Sequence, residues 1–520
     1  MNQRTVHDRR WWILGTLVLS LLVVVLDNTI LNVALKTIQQ DLGASQSELA
    51  WAVNSYTLVF AGLLFTYGVL GDRFGRRLAL IVGLVLFGLA SVLSAFSSSP
   101  EALIAARALM GVGGAAVLPS TLSIISNVFE PAERGRAIGI WAGFTGIAVA
   151  VGPITGGLLL EHFWWGSVFL VNVPVVIIAL VAIVWIVPES SDPDPRALDP
   201  IGVLLSIAGL VLLVYGIIKG GETTAWASTA VLGPLLGGIA VLAVFVLLQR
   251  RSPAPMLDVL LFKNPSFSAA CAAVTLAMFA LFGTVFFVSF YLQYARGLSP
   301  LHAGLTFLPV AVSLAFFAPR SSALVKRFGA KAVCAGGLSL VVLSFSGYQL
   351  VDERTPIAFV MFLLFLQGSG MAHVIAPATE SIMSTLPRER AGAGSAVNTT
   401  VRQVGGALGV AILGSILSAS YRAAMAPALE APGLRALPAA ARDLAGESIG
   451  GTQLVAEKLP EALRGPLEAA GVQAFVSAMH ATAFGSALVA AIGVAVVLRW
   501  LPGRRSSSAG APAARETVSV

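Results

Sequence analysis

Charge is what this chain is short of. Only 11% of its 520 residues are Asp, Glu, Lys or Arg, 57% are hydrophobic, and the mean hydropathy is +0.85. A soluble domain carries about 25% charged residues, so a water-soluble enzyme or binding module is excluded and a chain folded inside a bilayer is expected. Cysteine is nearly missing too. Cys271 and Cys334 both fall within apolar runs, which leaves no disulfide framework and no thiolate metal site. There is no GxxxxGK[ST] phosphate loop, no HExxH pair and no cysteine–histidine cluster. No nucleotide, cofactor or metal is therefore expected, and the protein is not read as an enzyme.

What the chain has instead is length in apolar runs. About 20 helical residues cross roughly 30 Å of hydrocarbon, and fourteen runs of that kind lie between Trp11 and Trp500. The expectation is an all-α integral membrane protein. The run behind the basic start of the chain is too long for a signal-peptide core and no small-residue cleavage site follows it, so it reads as an uncleaved first span. Arginine and lysine set the orientation, because positive loops stay cytoplasmic. Arg9, Arg10, Arg73, Arg76, Arg77, Arg134, Arg136, Arg250, Arg251, Lys326, Arg327, Lys331, Arg388, Arg390, Arg504 and Arg505 gather on one side with both termini. Lys36, Lys219, Arg296 and Arg354 are assigned to short outer loops. The net charge of +7 is thus topological, and no nucleic-acid surface is expected.

The chain is internally duplicated. GVLGDRFGRR at 68–77 returns in worn form as SALVKRFGAK at 322–331. Gln367-Gly368-Ser369-Gly370 echoes Met110-Gly111-Val112-Gly113, and PRER at 387–390 echoes PAER at 131–134. The proline-rich break PESSDPDPRALDP at 188–200 separates the copies, and the two spans after it have no counterpart in either copy and look peripheral. The division is a six-helix bundle at 11–187, a linker with two extra central helices at 188–265, a second six-helix bundle at 266–500 and a polar cytoplasmic tail at 501–520. Residues 421–471 form an outer loop, alanine-rich and suited to short surface helices.

At this point a resemblance becomes specific. GVLGDRFGRR resembles the loop between helices two and three of the major facilitator superfamily, and LIAARALMGVGGAA at 103–116 resembles its fourth-helix motif. GIAVAVGPITGG at 146–157 resembles the fifth-helix antiporter motif. DNTILNVAL at 27–35 and GSAVNTTVRQVGGALGVAILGS from Gly394 resemble the first and thirteenth helices of its fourteen-helix drug:proton antiporters. The resemblance covers nearly the whole chain and implies a major facilitator fold. It also implies a proton-coupled antiporter that exports amphipathic drugs or antibiotics across a bacterial inner membrane by alternating access. Two alternatives stay open: a dedicated exporter of one antibiotic or metabolite, lipid-like compounds included, and a non-transporting membrane sensor.

Three residues are candidates for proton coupling. A charged aspartate in mid-membrane costs on the order of 2.5 to 3.5 kcal/mol, so Asp27 needs a reason to be there, either a proton to carry or a structural partner. Counting inward from helix ends placed at Leu35 and Glu101 puts Asp27 and Arg107 at similar depth, roughly 9 to 12 Å, where they can pair. Glu380, about 10 Å from Pro387, is the third candidate, either a proton carrier or an interfacial acid. A pairing of Glu380 with Arg402 is expected. The gating residues are Gly68, Asp72, Arg73, Gly75 and Arg76 at the loop, with Asp72 free to accept from a helix N-terminus or an arginine, together with Gly152 and Pro153 in the fifth helix. The substrate cavity is assigned to Trp51, Asn54, Tyr56, Phe286, Phe290, Gln293, His373, Asn398 and Arg402. The dication exporters of the family place acids in the thirteenth helix where this chain has Asn398, Thr399 and Gln403, so dications are not expected as substrates. The expected partners are an amphipathic small molecule, protons and the lipid bilayer, with the chain acting as a monomer.

Overall fold

The computed structural model describes residues 3–191, 198–252, 255, 257–385 and 391–503. The middle of the linker, the PRER segment and the tail from Arg504 lie outside the described residues, as do the side chains of Arg134 and Arg136. No strand occurs among the described residues. The first bundle is α1 Gln3–Leu42, α2 Gln46–Phe74, α3 Arg76–Ala95, α4 Pro100–Gly114, α5 Val117–Val128, α6 Pro131–His162, α7 Ser167–Leu170 and α8 Asn172–Ile186. The insert is α9 Pro200–Thr223 and α10 Thr229–Arg251. The second bundle is α11 Pro265–Phe290, α12 Pro300–Thr306, α13 Leu308–Phe328, α14 Ala330–Gly347, α15 Ile357–Ser384, α16 Ala391–Leu429, α17 Ala439–Glu447, α18 Ile449–Ala456 and α19 Glu461–Trp500.

Among the described residues thirteen helical stretches are long and apolar enough to cross a bilayer, α4 with α5 and α7 with α8 each making one of them. The 32-residue α6 adds a fourteenth rod. Polar residues mark the ends. Ser45 and Glu48 form a reciprocal capping box at the start of α2, Ser99 precedes a proline at the first position of α4, and Asn264 caps α11. Each satisfies backbone N–H groups that the first helical turn leaves unpaired. Trp185, Leu204, Leu236 and Phe484 are all more than 60% exposed, a rim of apolar side chains that suits lipid and not water.

The duplication is visible in the packing. Where α3 crosses α4, a Cβ on Gly113 would lie 2.6 Å from the Gly83 carbonyl oxygen; where α14 crosses α15, one on Gly370 would lie 2.4 Å from that of Gly337. Both crossings need bare backbone. The turns repeat as well, since Gly75 has φ +115° and Gly329 φ +85°, a region that side-chain-bearing residues avoid.

Three expectations change. α1 continues to Leu42, because nothing between Leu35 and Gly43 breaks a helix, and Lys36 is consequently helical and half-buried. Asp27 therefore lies about 22 Å from the helix end, deeper than the sequence count gave. Lys219 is likewise in α9, paired with Glu222 at 3.0 Å. The inserted helices differ from each other. α10 is largely exposed, but α9 packs on both α2 and α16: Gly62 faces Ile207, Gly221 faces Ser415, and Ser415 donates to the Ile217 carbonyl at 2.7 Å. α9 thus lies along the seam between the bundles.

Candidate functional site

Arg9, Arg10, Arg73, Arg76 and Arg77 share one end of the helices with Arg250, Arg251, Lys326, Arg327 and Lys331; this is called the basic face. The opposite end, carrying α17 and α18, is the cap face. Between them, Asp27 of α1 and Arg107 of α4 are both fully buried and form an ion pair. The second Asp27 oxygen accepts from Asn172 Nδ2 at 3.0 Å, and the same nitrogen lies 3.0 Å from Ser91 Oγ. Arg107 Nε donates to the Ala52 carbonyl at 3.2 Å, and the guanidinium stacks over the Tyr56 ring at 4.5 Å. Five elements converge on one carboxylate. A desolvated ion pair survives only with such additional hydrogen bonds, and one Arg107 nitrogen, Nη2, still has no partner. Adding a proton to Asp27 removes its attraction for Arg107, so the link that this pair makes between α1 and α4 depends on protonation.

The second bundle has a neutral version of this arrangement. Gln367 of α15 donates to Thr284 Oγ1 of α11 at 2.8 Å and to the Ala280 carbonyl at 3.1 Å.

At the basic face, Arg76 holds Asp72 at 2.8 to 2.9 Å within the same loop. The loop is also tied to the start of the linker: Arg76 N donates to the Ser190 carbonyl and Arg77 N to Glu189 Oε1 at 3.0 Å. Arg73 lies over the Phe74 ring at 5.5 Å, and Gly68 faces Pro119. The Asp72 pair is partly exposed and worth at most about 1 kcal/mol. Asp72→Asn is accordingly expected to leave protein levels intact while lowering turnover, checked by comparing membrane abundance with efflux rate; unchanged turnover would leave the loop a purely topological role.

In the half of the molecule nearer the cap face, α6 supplies two glycine contacts to α1 and one to α12, and α12 returns one from Gly304. Gly152 meets Thr29 and Gly156 meets Ile30, both on α1, while a Cβ on Gly157 would lie 2.4 Å from Leu301 Cα and one on Gly304 2.3 Å from the Pro153 carbonyl oxygen.

The sequence pattern described as the Major Facilitator Superfamily matches residues 17–410. Its span takes in both copies of the duplication. The chain belongs to the Major Facilitator Superfamily. It is 39% identical over 495 residues to the multidrug efflux pump LfrA of Mycolicibacterium smegmatis, covering 94% of this chain and 96% of that one. It is 37% identical to the methyl viologen resistance protein SmvA of Salmonella typhimurium, over 80% and 84% of the two chains. The tetracenomycin C resistance and export protein of Streptomyces glaucescens is 35% identical over 79% and 77%. A solved bacterial homologue of the human lysosomal transporter Spinster superposes with a TM-score of 0.67 at 15% identity, covering 95% and 97%. The chain is a multi-pass membrane protein of a transporter superfamily.

The two bundles are joined at the cap face. Lys36 donates to the Gln293 carbonyl at 2.8 Å, Gln293 Nε2 to the Val33 carbonyl at 3.1 Å, and Tyr294 to Gln39 at 2.9 Å. Gln39 in turn reaches Ser448 at the start of α18 at 3.3 Å. Ser299 donates to Glu161 at 2.6 Å. All of these side-chain hydrogen bonds between the two bundles lie at this end. The structure is closed at the cap face.

The proposed cavity residues do not converge. Tyr56 is fully buried against Arg107, Trp51 packs on Tyr215 of α9 at 6.3 Å, and Phe286 and Phe290 are buried against each other at 5.3 Å. Gln293 belongs to the seam. His373 packs on Phe317 and lines a groove between α13 and α14. Asn398 accepts from Thr379 at 3.3 Å. Asn54 is fully buried with both amide atoms unpartnered, and Asn28 Oδ1 and Asn32 Oδ1 on α1 are also buried without partners. Glu380 is exposed, and among the described residues no ion pair joins it to the partly exposed Arg402. The expected Glu380–Arg402 contact is absent from this conformation, in which Glu380, near the end of α15, is exposed.

Sequence reasoning missed Asn172, Glu189 and Glu447. Asn172 had a signal, a lone amide at the head of the apolar run NVPVVIIALVAIVWI. Glu447 closes α17 beside the seam. Burial pushes its carboxyl above the usual range, Arg422 opposes that, and Glu222 and Glu48 add to it. A group whose affinity for protons is raised in the closed form stabilises that form at low pH, and the contribution is lost as pH rises through the raised pKa. Glu447→Gln is expected to remove the part of the pH dependence that favours closure at low pH, read as the labelling rate of a cysteine placed at Gln39 across a pH series. A pH dependence identical to wild type would remove Glu447 from the seam.

Proposed function

We propose that this transporter exports amphipathic drugs or antibiotics from a bacterial cell in exchange for protons. The basic face and both termini lie in the cytoplasm, and Asp27 carries the proton. The observation that carries this reading is the sealed Asp27–Arg107 pair, a titratable group placed where its protonation alters helix packing. The names of the relatives support export of drugs. The basic face supports the orientation by the positive-inside rule. The unpartnered amide oxygens of Asn28 and Asn32 and the unpartnered amide of Asn54 supply buried polar handles.

The steps follow from these contacts. With Asp27 ionised, Arg107 draws α1 and α4 together and the cap face is closed, the state in which substrate enters from the cytoplasm. Opening to the outside lets a proton reach Asp27, the ion pair is lost, and substrate leaves. Proton release to the cytoplasm restores the pair. Gln367 and Thr284, which form the neutral arrangement in the other bundle, cannot titrate near neutral pH.

A susceptibility panel in a pump-deficient host, with wild type and Asp27→Asn, tests the proposal. Wild type is expected to protect against several chemically unrelated amphipaths and Asp27→Asn against none. Protection against a single compound would favour the dedicated exporter. Methyl viologen belongs on the panel, because the SmvA relationship weighs against the expectation that dications are not carried.

A further inference from the structure

We propose that the second bundle holds one anionic phospholipid of the leaflet at the basic face, its acyl chain in the groove between α13 and α14 and its headgroup on Lys326, Arg327 and Lys331. The groove has a volume of about 300 Å³ and is lined by Leu324, Phe328, Val333, Gly336, Leu340 and, at its base, His373. It runs from the α13–α14 turn to Leu340, ten residues into α14 and about 15 Å from its start. That is half of the roughly 30 Å hydrocarbon core, the depth of one leaflet. Gly336 opens it, for a Cβ there would meet nothing within 4 Å.

The charge at its mouth follows from how the two copies of the loop diverged. In the first, Asp72 neutralises Arg76 and Glu189 accepts from the backbone of Arg77. In the second, Lys326 stands in the place of Asp72, and no acidic residue occurs between Asp258 and Asp352. Lys326 and Arg327 are exposed, and among the described residues they and Lys331 form no ion pair. Arg327 lies over the ring of Phe328 at 5.2 Å, which keeps a cation at the groove's rim. An apolar slot one leaflet deep, rimmed by three cations without a counter-ion among the described residues, matches the two parts of an anionic lipid. The inference does not depend on what the transporter carries.

The full-length protein in detergent, incubated with phosphatidylglycerol or with phosphatidylcholine of the same acyl chains, is examined by native mass spectrometry. Wild type is expected to retain one phosphatidylglycerol in preference to phosphatidylcholine. Lys326→Gln/Arg327→Gln/Lys331→Gln should weaken phosphatidylglycerol retention on the order of tenfold or more with phosphatidylcholine unchanged. Gly336→Leu, which fills the groove without a clash, should weaken both. Soluble glycerophosphoglycerol in excess should not displace the lipid. Equal retention of the two lipids by wild type, a preference that survives the triple substitution, insensitivity to Gly336→Leu, or displacement by the soluble headgroup would each overturn the proposal. Displacement of the lipid by an exported compound at equal concentration would also overturn it, by making the groove a substrate site.

Discussion

Asp27→Asn is expected to abolish proton-driven export and, at the same time, to destabilise the protein by about 3 to 5 kcal/mol, because it leaves the buried Arg107 without its counter-ion. Full burial on both sides of the pair is what makes the cost large. The double variant Asp27→Asn/Arg107→Gln removes both charges and is expected to recover the lost thermal stability, measured by size-exclusion profile after heating, without recovering export. Arg107→Ala leaves Asp27 buried without its counter-ion and is expected to lose stability to a similar extent. Export by the double variant at the wild-type rate would contradict the role given to the pair.

Gly157→Leu is expected to stop turnover by preventing closure of the cap face. The site has no room: Leu301 Cα lies 2.4 Å and the Pro300 carbonyl oxygen 2.7 Å from where even a Cβ would stand, and both are backbone. Backbone atoms cannot rotate away as a side-chain tip can, so α6 and α12 must separate. Separation breaks the neighbouring contacts from Lys36 to Gln293 and from Ser299 to Glu161. A state closed at this end then becomes the minor population. Cysteines introduced at Val33 or Gln39 in a Gly157→Leu background should react with an impermeant maleimide added from outside at least tenfold faster than in the Gly157 background, with protein levels little changed. Equal labelling would mean that the α6–α12 contact is not part of the gate.

The long spans and the duplication could be read from the sequence because each is written in local pattern: apolar length, and repeated glycines at Gly113 and Gly370. The meeting of Asp27 with Arg107 was also legible, since two ionised groups at similar depth have few other partners in hydrocarbon. The count behind it was wrong in detail, as α1 runs on to Leu42, where polar residues such as Lys36 and Gln39 look like a loop but are held inside a protein seam. Other features depend on rotation of a helix about its axis, which length does not give. His373 and Glu380, one heptad apart, were both assigned inward, yet one lines a groove against α14 and the other reaches the surface. Trp51 and Tyr56 were grouped as cavity residues, whereas one faces α9 and the other Arg107. Asn172 and Glu189 escaped notice because their partners, Asp27 and Arg77, are more than a hundred residues away in sequence.

The central claim is that substrate leaves in exchange for a proton bound at Asp27. It is tested most directly in proteoliposomes loaded with a fluorescent substrate of the susceptibility panel, by recording substrate and proton flux together under an imposed pH gradient. Wild type is predicted to move the two in opposite directions at a fixed ratio, and Asp27→Asn/Arg107→Gln to move neither down the gradient. Gradient-driven substrate flux through the double variant, or wild-type flux that is indifferent to the gradient, would contradict the account.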